Sequence, residues 1–149
     1  MSDQRDLFEA WLAHMDDALE SFKASLPAAL ASRLDLSVDS LDLLERHYLS
    51  VFPTLVDALK PDAKLVLDGY ARYVGETFRN LLNYKWDICL SDSKNAYYGL
   101  PTLSSNTLCP LTLVTTATDR RTGEHWSKVA KHRLGANKSF KPNPLRGSA

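Results

Sequence analysis

The chain has 149 residues, 44% of them hydrophobic and 24% charged, with a formal net charge of zero. That length and balance fit one globular domain with a core of its own and exclude a wholly disordered chain. Two cysteines, Cys89 and Cys109, without CxxC spacing, are too few for a disulfide-built secreted scaffold.

Charge is unevenly spread. Residues 1–68 carry 13 acidic and 6 basic side chains (−7), and residues 69–149 carry 5 acidic and 12 basic (+7). A dipolar chain of this kind either steers a charged partner or draws its own two halves together. The N-terminal stretch MSDQRDLFEAW lacks a basic region followed by an apolar run, and no apolar run approaches the ~20 residues needed to span a bilayer. The expected compartment is the reducing cytoplasm, with no membrane partner.

In chain order, residues 3–26 read as one long amphipathic helix. Phe8, Trp11, Leu12, Met15, Leu19 and Phe22 recur at steps of three and four, and Asp6, Glu9, Asp16, Asp17, Glu20 and Lys23 oppose them. Pro27 interrupts the pattern, and a short helix is expected over 28–34. Ser37 suits an N-cap, with Asp39 in the first turn. The helix that follows presents Leu41, Leu44, Tyr48, Val51 and Phe52 until Pro53 ends or kinks it. One further turn is expected over 55–59.

Pro61-Asp62 opens the fourth helix, reaching about Leu82. Leu65, Val66, Leu67, Tyr70, Tyr73, Val74, Phe78, Leu81 and Leu82 cover more than half its circumference, the pattern of a central helix. Gly69 and Gly75 inside it imply either close approach of another backbone or a bend.

The period then changes to two. Tyr84, Trp86, Ile88 and Leu90 alternate with Lys85, Asp87 and Cys89 as in a strand. A polar turn over 91–95, a short strand within 97–103 and a second turn over 104–107 follow. Residues 110–119 admit two readings: LTLVTTAT favours a strand by its β-branched content, whereas a proline at a first helical position suits a helix. The strand is preferred. A turn over 119–123 precedes a helix over 124–134, stopped by Gly135. The fold class is therefore α+β: N-terminal helices, then a small, mostly antiparallel sheet packed on the central helix. Residues 1–135 form the domain, and 136–149 a basic tail, either mobile or strapped to the surface.

Catalytic signatures are absent from the sequence. No HExxH, zinc-finger spacing, GxSxG, GxGxxG or GxxxxGK[ST] occurs, and no metal or cofactor is expected. His125 and His132 return to one helix face two turns apart, about 10 Å, too far to share an ion. Arg72, Glu76 and Arg79 are helical neighbours. With Trp86 they form either a structural network or the wall of an enzyme pocket. The basic residues Lys128, Lys131, Arg133, Lys138, Lys141 and Arg146, with Phe140, offer a phosphate- and base-contacting surface, although no nucleic-acid-binding motif accompanies them.

The segment DGYARYVGETFRNLLNYKWDI, residues 68–88, resembles small bacterial proteins in which a Y-x-G-E helix leads into a Trp-bearing strand and then a Pro-led segment such as Cys109-Pro110-Leu111. Some of these are similar to immunity proteins that neutralise a toxin. Here Asn83-Tyr84-Lys85 stands where the pattern has a glycine turn. The resemblance implies a non-enzymatic protein that binds another protein, with a toxin domain as a candidate partner, and it transfers no functional residue. Candidate contact residues are Asp16, Asp17 and Glu20 on the acidic helix face, and Tyr97 and Tyr98 as aromatic anchors in a loop.

Overall fold

In the computed structural model, which describes residues 3–140 and their side chains as far as 136, helices build almost everything. The first is α1 (Gln4–Ala13), capped by Asp3, whose carboxylate accepts from the Asp6 amide at 2.9 Å. It is followed by α2 (Met15–Ala24). The single helix expected over 3–26 is thus broken at His14, where ψ is 9° and the ring Nδ1 donates to the Ala10 carbonyl at 2.8 Å. A side chain that binds the carbonyl of the preceding turn competes with the backbone ladder, and the axis changes there. Both halves keep their apolar stripe inward: Phe8, Met15 and Phe22 are buried.

Next come α3 (Ala28–Ala31), α4 (Val38–Val51) and α5 (Leu55–Ala58). Ser37 caps α4 as the sequence indicates, its Oγ accepting from Ser40 N at 3.2 Å. Thr54 and Asp57 form a capping box on α5. A 3₁₀ turn, Pro61–Ala63, leads into the central α6 (Lys64–Leu82). Leu65 and Val66, read as part of its apolar face, are exposed. The other expected core positions of α6 are buried, with Leu81 half-buried.

The two glycines of α6 mark close approach by aromatic rings, not by backbone. A Cβ at Gly69 would overlap the ring of Phe22, and one at Gly75 would overlap the indole of Trp86. Asn83 closes α6 in the left-handed conformation at φ 59°, the role a glycine would fill in a helix-ending turn.

Strands β1 (Trp86–Ile88) and β2 (Pro101–Leu103) pair antiparallel, with Trp86 opposite Leu103 and Ile88 opposite Pro101. The α+β class holds, with 65% helix among the described residues and this small sheet. Cys89, which follows β1, is buried like Ile88 before it. Residues 110–119, preferred as a strand, belong to helix α7 (Pro110–Arg120). Pro110 occupies the first turn, and the threonines return their hydroxyls to their own helix. Thr116 Oγ1 donates to Thr112 O at 2.7 Å and Thr118 Oγ1 to Thr115 O at 2.6 Å. This satisfies the polar groups of β-branched residues within a helix.

The last helix, α8 (His125–Phe140), runs through Gly135 where a stop was expected. A glycine flanked by helix formers lowers helix stability by about 1 kcal/mol without ending it. The expected tail thus begins as helix, and residues 141–149 lie outside the described ones. One apolar cluster unites α1–α8 and the hairpin around α6, with Tyr48, Tyr70, Tyr73, Phe78 and Trp126 almost fully enclosed.

Candidate functional site

A stripe of α6 bearing Asp68, Arg72, Gly75, Glu76 and Arg79 faces α1, α2 and β1, and builds an aromatic wall there. The Trp11 indole N–H donates to Asp68 Oδ1 at 2.8 Å. The Trp86 indole N–H donates to Glu76 Oε2 at 2.7 Å. The two rings meet edge to face, with centroids 4.9 Å apart and planes at 78°, a favoured aromatic geometry. Each tryptophan is thus held by a carboxylate of one helix, and Gly75 leaves the space into which Trp86 fits.

Arg72 locks the assembly. Its Nε donates to Asp68 Oδ2 at 2.7 Å, its Nη1 to the Trp11 carbonyl at 2.8 Å, and its guanidinium lies 4.2 Å from the Trp11 ring centroid. A buried arginine of this kind is stabilised by its counter-ion and by the ring face. The expected Arg72–Glu76 pairing does not form. Glu76 is instead engaged by Arg79, Nε to Oε2 at 2.9 Å and Nη2 to Oε1 at 3.3 Å, and by Trp86. The sequence reading joined Arg72, Glu76, Arg79 and Trp86 in one group; in the fold they form two adjacent networks. The bonds of Glu76 orient Trp86.

The wall separates two depressions. On one side Asp16, Glu76, Arg79, Tyr84 and Trp86 border a shallow groove of ≈ 380 Å³. On the other is a deeper groove of ≈ 520 Å³. Trp11, Trp86, Leu67, Pro110 and Leu111 supply its apolar lining, and Lys60, Lys64 and Thr112 stand among its polar groups. Of the seven large apolar side chains that are exposed among the described residues, five lie between 51 and 66: Val51, Val56, Leu59, Leu65 and Val66. Leu59 also lines the deeper groove. Apolar surface therefore extends from the groove over the adjoining helix ends.

The other candidates lie elsewhere. Asp16, Asp17 and Glu20 are all exposed on α2. Tyr98 lies in the loop between the strands and its hydroxyl donates to Gln4 Oε1 at 3.4 Å, while Tyr97 is half-buried. Of the basic residues near the C-terminus, Lys128 and Lys131 are exposed on α8. Arg133 is engaged, donating to Thr107 O at 3.2 Å and lying 5.9 Å from the Tyr84 ring centroid. The side chains of Lys138 and Phe140, and residues Lys141 and Arg146, lie outside what the structure describes.

A second buried carboxylate has a structural task. Glu45 is fully enclosed and accepts from the amides of His125 and Trp126 at 3.1 and 2.8 Å, capping α8 from a distant helix. Burial pushes its carboxyl above the usual range, against the pull of those amides. Burial also lowers His47, whose Nδ1 meets the Tyr70 hydroxyl at 2.8 Å, and His125.

Among the described residues no three His, Cys, Asp or Glu side chains converge as metal ligands, and no helix is long and apolar enough to cross a membrane. The sequence reading missed the groove's principal members, Trp11, Asp68, Leu59 and Lys64. The available signal was Trp11 beside an acidic helix stripe, but nothing local joins it to a residue 57 positions away. Comparison with protein-family models, with curated proteins and with solved structures finds no significant match.

Proposed function

We propose that the chain is a non-enzymatic binding protein that receives an apolar segment of a partner protein in the groove beside Trp11 and Trp86. The observation that carries this reading is the fixed aromatic wall: two indoles held by carboxylates of one helix, bordering an apolar groove. Rigid aromatic anchors in a desolvated pocket supply most of the affinity of typical interfaces. The exposed Val56, Leu59 and Leu65, at 69, 66 and 83% accessibility, extend the apolar surface beyond what a small ligand would cover, and this favours a protein. In its narrower form, carried by the sequence resemblance, the partner is a toxin domain and the chain an immunity-type protein of the cytoplasm.

Two variants test the reading without disturbing the core. Thr112→Trp fills the groove from an exposed position on α7, and Leu59→Asp places a charge at its rim. A partner captured by cross-linking in cells, then purified and titrated, should bind at least about tenfold more weakly to each variant at unchanged melting temperature. Equal binding to both would move the interface elsewhere, first to Asp16, Asp17 and Glu20. For the narrower form, co-expression should restore growth to cells producing the toxin domain, and both variants should fail to do so.

A further inference from the structure

The charges around the deeper groove do not cancel. Asp68 contributes a carboxylate, but both its oxygens are engaged, by Trp11 and by Arg72, whose charge neutralises it. Lys60 stands 3.3 Å from Asp57 and is neutralised in turn. Lys64, exposed at the same groove, makes no ion pair among the described residues. It begins α6, so the positive end of a 19-residue helix adds to its charge. An apolar groove with one uncompensated cation at its edge selects a group that is apolar in body and anionic at one end.

We infer that the occupant of the groove carries a carboxylate beside its apolar anchor: a partner segment in which a bulky apolar or aromatic residue has an Asp, a Glu or a chain terminus within a few positions. The anchor lies against Trp11, Trp86 and Leu111, and the carboxylate meets Lys64. This rests on the reading of the groove as a protein-binding site, and names the chemistry of what enters it. The net charge at the rim, rather than the acidic face of α2, then sets the sign of the partner's contact segment.

Two kinds of probe separate this inference from the reading beneath it. The first is a pair of fluorescent dyes, anilinonaphthalene sulfonate and its uncharged counterpart phenylnaphthylamine. The anion should bind the wild-type protein more tightly than the neutral dye. Lys64→Glu should weaken the anion roughly tenfold, attraction being replaced by repulsion, and leave the neutral dye unchanged. The same charge reversal on α8, Lys128→Glu, should change neither. Glutamate at the first position of α6 suits the helix dipole, so Lys64→Glu folds.

The second probe is a random peptide library displayed on phage. Selection on the wild type should enrich apolar anchors with a nearby acidic residue, and selection on Lys64→Glu should lose the acidic preference. Apolar peptides whose acidic content is the same on both proteins would overturn the inference and leave the groove reading standing. No enriched peptide, with dodecanoate displacing the dye, would overturn the assignment to a protein segment. If neither dye binds and no peptide is enriched, the groove reading itself fails.

Discussion

Opposite sides of α6 hold two aromatic clusters by different means. On the inner side Tyr70 meets Tyr48, Phe52 and Trp126, with centroids 5.2, 6.4 and 6.5 Å away, and packing does most of the holding; the Tyr48 hydroxyl has no hydrogen-bond partner among the described residues, and burial pushes it up to about 12. On the outer side Trp11 and Trp86 are tied by their indole nitrogens to Asp68 and Glu76. In the core, neighbours on every side fix each ring, and hydrogen bonds such as Tyr70 to His47 and Trp126 to Leu113 add to that packing. The wall beside the open grooves has fewer neighbours on its groove side, and hydrogen bonds from the indole N–H groups to fixed carboxylates add to the packing that orients it.

The largest expected effect lies in the core. Trp126 is fully enclosed and its indole donates to the Leu113 carbonyl at 3.0 Å. Trp126→Ala should lower the unfolding free energy by about 3–5 kcal/mol, measured by denaturant titration. Trp86→Ala should fall in the lower part of that range, since one face of its ring borders the grooves. Equal losses would erase the distinction between core and wall.

Gly75→Ala should lower stability by about 1–3 kcal/mol, because the new methyl overlaps the Trp86 ring and comes within 3.1 Å of Pro110 Cγ. Displacement of Trp86 should appear as a shift in its fluorescence and as weaker dye binding. A variant as stable as wild type with unchanged emission would mean that Trp86 has free space to move. Asp68→Asn should lower stability by about 1.5–3 kcal/mol, since it leaves the buried Arg72 without its counter-ion. Glu76→Gln should have the smaller effect, because Arg79 is half-exposed and water can replace the lost partner.

A pH series tests the buried carboxylate behind the core cluster. The folded-state pKa of Glu45 is raised, so the folded chain holds that proton more tightly than the unfolded chain does. The associated stability is present below about 4.5, the unfolded value, and is lost as pH rises through the folded pKa. Glu45→Gln cannot titrate and loses one of the two amide acceptors. Its deficit relative to wild type should therefore shrink as pH increases across that window. A deficit that grows instead would show that the His125 and Trp126 amides stabilise the anion more than burial opposes it. His47 and His125 have the opposite linkage: their lowered values give stability that is present above about 6.5 and lost as pH falls through the folded pKa.

Legibility in the sequence follows the range of the interactions. Ser37 as a cap and the buried Leu41, Leu44 and Tyr48 of α4 are local and stand where the pattern put them. Val51 of the same expected face is exposed, however, and the two-residue period holds only over Trp86–Ile88. Gly75 suggested either close approach of another backbone or a bend, whereas it is the Trp86 indole that comes close. Arg72 has a carboxylate four residues away in both directions, Asp68 and Glu76, which helical spacing makes equivalent. Only the packing of α1, with Trp11 and its carbonyl, selects Asp68. The groove was least legible, because its walls come from α1, α5, α6, β1 and a threonine-rich segment whose β-branched composition suggested a strand.

The smallest expected effect concerns the acidic face of α2, and it sharpens the contrast between the wall and a plain surface. Asp17 and Glu20 are exposed, with no hydrogen-bonded or ion-pair partner among the described residues, whereas Asp16 borders the shallow groove and favours the Arg79 charge. Neutralising Asp17→Asn with Glu20→Gln should therefore change stability by about 0.5 kcal/mol or less; some loss is expected because Asp17 lies in the first turn of α2. The two dyes should bind unchanged. With a purified partner the two surfaces have different kinetic signatures. Changes at the groove should raise the dissociation rate, because they remove desolvated contacts, whereas neutral α2 should at most slow association and flatten its salt dependence. A partner that dissociates faster from the α2 variant while ignoring Thr112→Trp would reverse the assignment. The acidic helix would then be the binding surface, and the two anchored tryptophans would be a structural joint between α1 and α6.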